Sequence, residues 1–176
     1  MTGRRTVLGG LLAATTMGRA LAASERPDRP TPRAAEVARP AGEAPLPGLR
    51  VWRDPGCGCC GGWIAHMRAA GFPVEENTVP SVAPARRMLG IPADLLSCHA
   101  AQVGPYALEG HVPAAAVLRL LRERPAGLRG LAVPGMPTGS PGMEVPGQPD
   151  DLYEVIGFDG GAGRQVFMRF RGGEPA

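Results

Sequence analysis

The chain has 176 residues, room for one ordinary domain with a real core and little more. All 19 basic residues are arginine against 16 acids, and 44% hydrophobic with only 5% aromatic content describes a globular chain with few large anchors. Residues 1–22 carry Arg4, Arg5 and Arg19 and no acid, so the rest is neutral; without a basic patch or a basic amphipathic helix, nucleic acid and a membrane surface are disfavoured as partners.

The opening Thr2-Gly3-Arg4-Arg5-Thr6-Val7-Leu8 resembles a twin-arginine export signal, followed by an apolar stretch from Val7 to Gly18 and the small-residue pattern Ala20-Leu21-Ala22. The spacing predicts a signal peptide over 1–22, cleaved after Ala22. The apolar stretch is shorter than the roughly 20 residues needed to cross a bilayer, and no cysteine near the cleavage point could take a lipid. An exported, periplasmic protein with no membrane anchor is expected. From Ala23 to about Gly48 six prolines (Pro27, Pro30, Pro32, Pro40, Pro45, Pro47) interrupt Ala, Arg and Glu with no apolar periodicity, the composition of a disordered tether. The folded domain is expected over 49–172.

Leu49-Arg50-Val51-Trp52-Arg53 reads as a strand, and the Asp54-Pro55-Gly56 turn leads into Cys57-Gly58-Cys59-Cys60. Trp63, Ile64, Met67 and Ala70 recur at helical spacing from Cys60 to Ala70, and Gly71 is a terminator. Phe72–Asn77 reads as a second strand, parallel to the first across this helix. A short helix over Ala83–Leu89 follows, closed by Gly90-Ile91-Pro92. Cys98–Val103 and Tyr106–Glu109 flank Gly104-Pro105 as a hairpin or a kinked strand, and Val112–Glu123 carries a helical stripe that Pro125 ends. Leu131-Ala132-Val133 is a short strand, and Tyr153–Phe158 with Gln165–Phe170 form a closing hairpin across Gly160-Gly161. The order points to an α/β fold, a thioredoxin-like sandwich in a single domain.

Three cysteines within four positions at a helix mouth are the strongest chemical signal, because helix N-terminal amides and the helix dipole favour thiolates, and thiolates bind soft metals. Cys57 and Cys60 also have the C-x-x-C spacing of thiol-disulfide redox sites. Cys98-His99 adds a fourth thiol and an imidazole. Such a set selects Cu(I), Zn(II) or an iron–sulfur cluster over Mg(II) or Ca(II), while disulfides, Cys57–Cys60 with Cys59–Cys98, are the alternative in an oxidising compartment. The residues alone leave both open. Glu109 and Glu144 show no acid–base pairing, and no Ser-His-Asp order or phosphate loop appears, so hydrolase and nucleotide-binding readings fail.

With Cys57-Gly58-Cys59-Cys60-Gly61-Gly62-Trp63, Ser97-Cys98-His99, Tyr106, Glu109-Gly110-His111-Val112-Pro113, the loop Gly130 to Pro137 and Gly139-Ser140-Pro141-Gly142-Met143-Glu144, the chain resembles the CopG-type periplasmic copper-resistance proteins, long catalogued as a domain of unknown function. The blocks span about Val51 to Phe170. The resemblance implies a thioredoxin-like fold, several cysteine-bridged copper ions per chain with zinc the lesser candidate, and copper resistance by sequestration or Cu(I)/Cu(II) conversion, which leaves open whether the protein is a copper oxidoreductase. It places Cys57, Cys59, Cys60, Cys98 and His99 at the metal, with Met136, Met143 and His111 in shared motifs as weaker candidates. Expected partners are copper ions and other periplasmic copper-handling proteins. Ala100 stands where many relatives carry a polar residue.

The rival function is a thiol-disulfide oxidoreductase using the Cys57/Cys60 pair. Met67, Met88 and Met168 are expected in the core, whereas Met136 and Met143 lie in a Gly/Pro-rich loop where thioether ligation competes with surface packing. His66 reads as a solvated histidine or one behind the ligands. His111 reads equally as a residue that caps the next helix or hydrogen-bonds a turn, or as one behind the ligands. Trp52 and Trp63 are expected as core or as a lid that excludes water.

Overall fold

The computed structural model describes residues 44–176, so the expected export signal and the part of the expected tether before Ala44 lie outside the described residues. Leu46 packs against the core ahead of the first strand, β1 (Leu49–Arg53). The β1 strand runs into a turn closed by the Asp54 side chain, whose Oδ1 accepts the Gly56 N–H at 2.8 Å, while its carbonyl accepts the Cys57 N–H at 3.1 Å. Helix α1 (Gly58–Ala69) starts two residues earlier than the apolar spacing suggested, because Cys57 itself takes the N-cap position with extended φ −78° and ψ 93°.

After α1, Gly71 at φ +89° reverses the chain into β2 (Val74–Thr78), which pairs parallel with β1. Helix α2 (Ala83–Leu89) ends on Gly90 at φ +67° and leads through a single 3₁₀ turn, Ala93–Leu95, to β3 (His99–Val103). The Gly104-Pro105 step is a two-residue turn into β4 (Tyr106–Glu109), a true hairpin. Helix α3 (Ala114–Glu123) starts after Pro113, which serves as its N-cap, so the helix is two residues shorter than its apolar stripe. Strands β5 (Gly130–Ala132), β6 (Leu152–Phe158), β7 (Arg164–Arg171) and β8 (Glu174–Pro175) complete one eight-stranded mixed sheet in the order β2-β1-β3-β4-β5-β6-β7-β8.

Strand alternation sends successive side chains to opposite faces, and the core divides accordingly. One cluster holds Val51, Ala101, Leu108 and Leu131 with Trp63, Ile64 and Met67 from α1 and Val117 and Leu120 from α3. The other holds Ala100, Ala107, Ala132 and Phe158 with Val82, Ile91 and Leu95. Helices α1 and α3 therefore cover one face and α2 the other, and each large side chain fully buried there contributes about 1.5–3 kcal/mol.

Met67 is fully buried and Met168 packs half-buried on the first cluster, but Met88 is 65% exposed. The expectation of a core Met88 fails because Val82, Ala85 and Leu89 take the apolar contacts of this short helix, and Arg86 turns inward to an acid. Trp63 is core, with its indole N–H donating to the Val112 carbonyl at 2.9 Å; Trp52 is half-buried against the second cluster.

Candidate metal centre

The site lies at one end of the sheet, where the last residue of β1 pairs with the first of β3, Arg53 opposite His99, and where β4 ends at Glu109. Three segments meet there: the Cys57–Cys60 turn with the start of α1, the Ser97-Cys98-His99 entry to β3, and the Gly110-His111 exit from β4. A fourth, the loop from Pro134 to Glu144, closes over them. Its seat is a backbone-on-backbone contact. A Cβ on Gly62 would stand 2.8 Å from the Gly142 Cα, and one on Gly142, at φ +87°, would stand 2.6 Å from the Cys59 carbonyl.

The four cysteine sulfurs all lie within 4.8 Å of one another. Cys57 and Cys60 are bonded as a disulfide, Cys59 Sγ sits 3.6 Å from Cys57 Sγ, and Cys98 Sγ sits 3.8 Å from Cys59 Sγ. Cys59 and Cys98 are free thiols. The sequence-derived pair of disulfides is thus half present: the first bridge is formed and the second is not. No acid lies in the first turn of α1 to compete for its amide groups.

A second donor group shares Cys98. His111 Nε2 is 2.9 Å and His99 Nδ1 3.3 Å from Cys98 Sγ, and both rings are fully buried. The other nitrogen of His111, Nδ1, is 2.9 Å from the Pro141 carbonyl oxygen. A carbonyl only accepts, so Nδ1 carries the proton and Nε2 turns its lone pair toward Cys98, the orientation by which a backbone carbonyl prepares a histidine ligand. His99 stacks against Trp63 with ring centroids 4.4 Å apart and meets His111 edge-on at 5.2 Å. Its Nε2 is buried without a hydrogen-bond partner.

Burial pulls the His99 pKa down to about 3, with His111 and the Arg86 guanidinium adding to the effect. Burial lowers that of His111 as well. Burial, and then the neighbouring Cys59, push the Cys98 thiol up to about 12. Metal-free, the corner therefore holds neutral imidazoles and a protonated thiol; a soft cation is what would offset the cost of ionising that thiol in a dry setting. Sulfur and imidazole donors, with one buried imidazole nitrogen unsatisfied, fit such an ion.

Of the weaker candidates, His111 stands at the donors. Met143 is half-buried in the closing loop beside Gly142, and Met136 is 55% exposed. His66 lies on α1 outside the cluster, its Nε2 2.6 Å from Glu144 Oε1 on that loop. Glu109, in which the sequence showed no role, is fully buried and paired with Arg86 at 2.7 Å; no sequence spacing signals that contact, because it joins α2 to β4.

Residues 95–143 match the family model described as "Protein of unknown function, DUF411". No curated protein matches the chain significantly. Two solved structures are similar to it, forms 1 and 2 of "Copper resistance protein copG", at 39% and 40% identity. Each comparison covers 72% of this chain and 99% of the other, with a TM-score of 0.66. The chain belongs to the family of the copper resistance protein CopG.

Proposed function

We propose that this protein is an exported copper-binding protein that acts in copper resistance, holding several copper ions on a thiolate cluster and sequestering them or interconverting Cu(I) and Cu(II). The observation that carries this reading is the convergence of four sulfurs within 4.8 Å, one of which, Cys98, is shared with two buried histidines. Cys57, Cys59, Cys60 and Cys98 would supply thiolates once the Cys57–Cys60 bridge is reduced, and His99 and His111 neutral nitrogens. Sulfur that bridges ions suits this crowding better than one tetrahedral ion, and Cu(I) suits thiolate-rich sites better than harder cations. Zinc is the competing ion, and Met143 is the better placed of the two loop thioethers.

The name of the related structures supports a copper role. The run β1-α1-β2-α2-β3-β4-α3 with sheet order β2-β1-β3-β4, and the cysteine turn between β1 and α1, support a thioredoxin-like reading of that half of the domain. No described helix is long and apolar enough to cross a membrane. Export rests on the opening Arg4-Arg5 motif; a reporter fused behind residues 1–30 that still exports with both changed to Lys removes the twin-arginine route.

Titration of the reduced protein with Cu(I) against a chromogenic chelator tests the reading. More than one copper per chain, lost when the cysteines are changed to serine, supports it; no uptake overturns it. One observation favours a second reading, the formed Cys57–Cys60 disulfide at a helix start, the arrangement of a thiol-disulfide oxidoreductase. Catalytic reduction of insulin disulfides that needs Cys57 and Cys60 but not Cys98 would favour it.

A further inference from the structure

The segment that delivers Cys98 and His99 is gripped at the residue before them. Glu109 Oε1 accepts the Ser97 backbone N–H at 2.7 Å, and Arg86 Nη2 donates to the Ser97 carbonyl at 2.6 Å and to the same Glu109 oxygen at 2.7 Å. Arg86 Nε donates to both Glu109 oxygens, at 3.0 and 3.1 Å. The Ser97 hydroxyl donates to the Gly135 carbonyl at the start of the closing loop. Every hydrogen-bonding group of Ser97 is thereby fixed.

The same ion pair reaches the other side of the centre. Glu109 is two residues before His111, its own carbonyl accepts the Val133 N–H at 3.0 Å, and the Gly110 N–H donates to the His99 carbonyl at 2.9 Å. A Cβ on Gly110 would stand 2.5 Å from Ser97 Oγ, so only glycine permits this approach. A buried ion pair adds little net stability over well-packed apolar side chains of the same volume. What it adds here is geometric: one charge pair ties the backbone bearing Cys98 and His99 to the backbone bearing His111.

We propose that Arg86 and Glu109 are positioning residues for the metal centre, clamping the Ser97 peptide so that Cys98, His99 and His111 are preset to receive an ion. The proposal rests on the metal-binding reading above, and donor groups held to within about half an ångström are what distinguish a preset site from a loose one.

The test uses the full reduced chain with Arg86→Met and Glu109→Leu together, which removes both charges at similar volume. In the metal-free protein Cys98 alkylation by iodoacetamide is expected to speed up several-fold while that of Cys59 is unchanged. Cu(I) affinity against a chromogenic chelator is expected to fall about 10–100-fold, with circular dichroism and urea midpoint close to wild type. Glu109→Gln keeps one acceptor for Ser97 but leaves the Arg86 charge unpaired, and its alkylation rate and Cu(I) affinity are expected to fall between those of the wild type and the double variant. If the double variant does not fold, Arg86→Lys, which cannot reach Ser97 and both Glu109 oxygens together, is expected to show the same faster Cys98 alkylation. An unchanged alkylation rate overturns the proposal, as does an unchanged Cu(I) affinity where the wild type binds. If the wild type takes up no Cu(I), the metal reading fails by itself and the alkylation rate alone decides the clamp.

Discussion

The two halves of the centre are built differently. The Cys57–Cys60 turn is local: a strand end, a turn closed by Asp54 and the first turn of α1, with Cys57 and Cys59 half-buried. The Cys98–His99–His111 corner is assembled by tertiary packing, with both rings fully buried, one held by a loop carbonyl and the other against Trp63. Thiols at a helix mouth can exchange partners or ions with little rearrangement, whereas the buried corner has its geometry set before an ion arrives. Cys98 is the sulfur common to both.

That contrast breaks most visibly at Cys98. Cys98→Ser is expected to abolish most copper binding, because it removes a donor from both groups, while Cys57→Ser is expected to lower stoichiometry and leave binding at the corner; copper per chain by elemental analysis checks both. Intact stoichiometry in Cys98→Ser would separate the halves. Next in size is the seat of the closing loop. Gly142→Ala places a Cβ against the α1 backbone at positive φ and is expected to cost about 2 kcal/mol in urea unfolding, with weaker copper binding through the displaced Pro141 carbonyl.

The dry corner also has a pH signature. In the metal-free protein the unfolded chain takes up a proton at His99 below its ordinary pKa of about 6.5, but the folded chain does so only near 3. Stability is therefore complete above about pH 6.5 and falls as pH drops toward 3, by about 1.4 kcal/mol per unit for this one group. Urea midpoints measured against pH should show that slope, and His99→Leu should reduce it; equal slopes would mean that the ring is not held neutral. The smallest effect belongs to the His66–Glu144 pair on the rim, about half exposed on both sides, where Glu144→Gln should change stability by less than about 1 kcal/mol.

What the sequence disclosed follows the same division. The strand, cysteine turn, helix and strand from Leu49 to Thr78 are legible because each is specified by neighbours: alternation, Asp-Pro-Gly, helical spacing, a terminal glycine. Helix α2 falls on its expected residues, Ala83–Leu89, for the same reason. For His111 the sequence divides evenly between capping a helix or hydrogen-bonding a turn and backing the ligands. Its place 2.9 Å from Cys98 depends on the β3–β4 hairpin and on Pro141, thirty residues downstream. Arg86 gave no signal at all, since an inward arginine on an amphipathic helix is visible only when its buried partner is known. Met88 misled because helical spacing identifies a stripe without saying how much of it the sheet covers.

The most direct test of the copper centre is elemental analysis of protein purified from copper-supplemented cells, beside a thiol count on the same sample after metal removal. Several coppers per chain with four free thiols are expected. No copper, with Cys57–Cys60 oxidised and two thiols free, would contradict the metal reading and leave the disulfide as the working state of the turn.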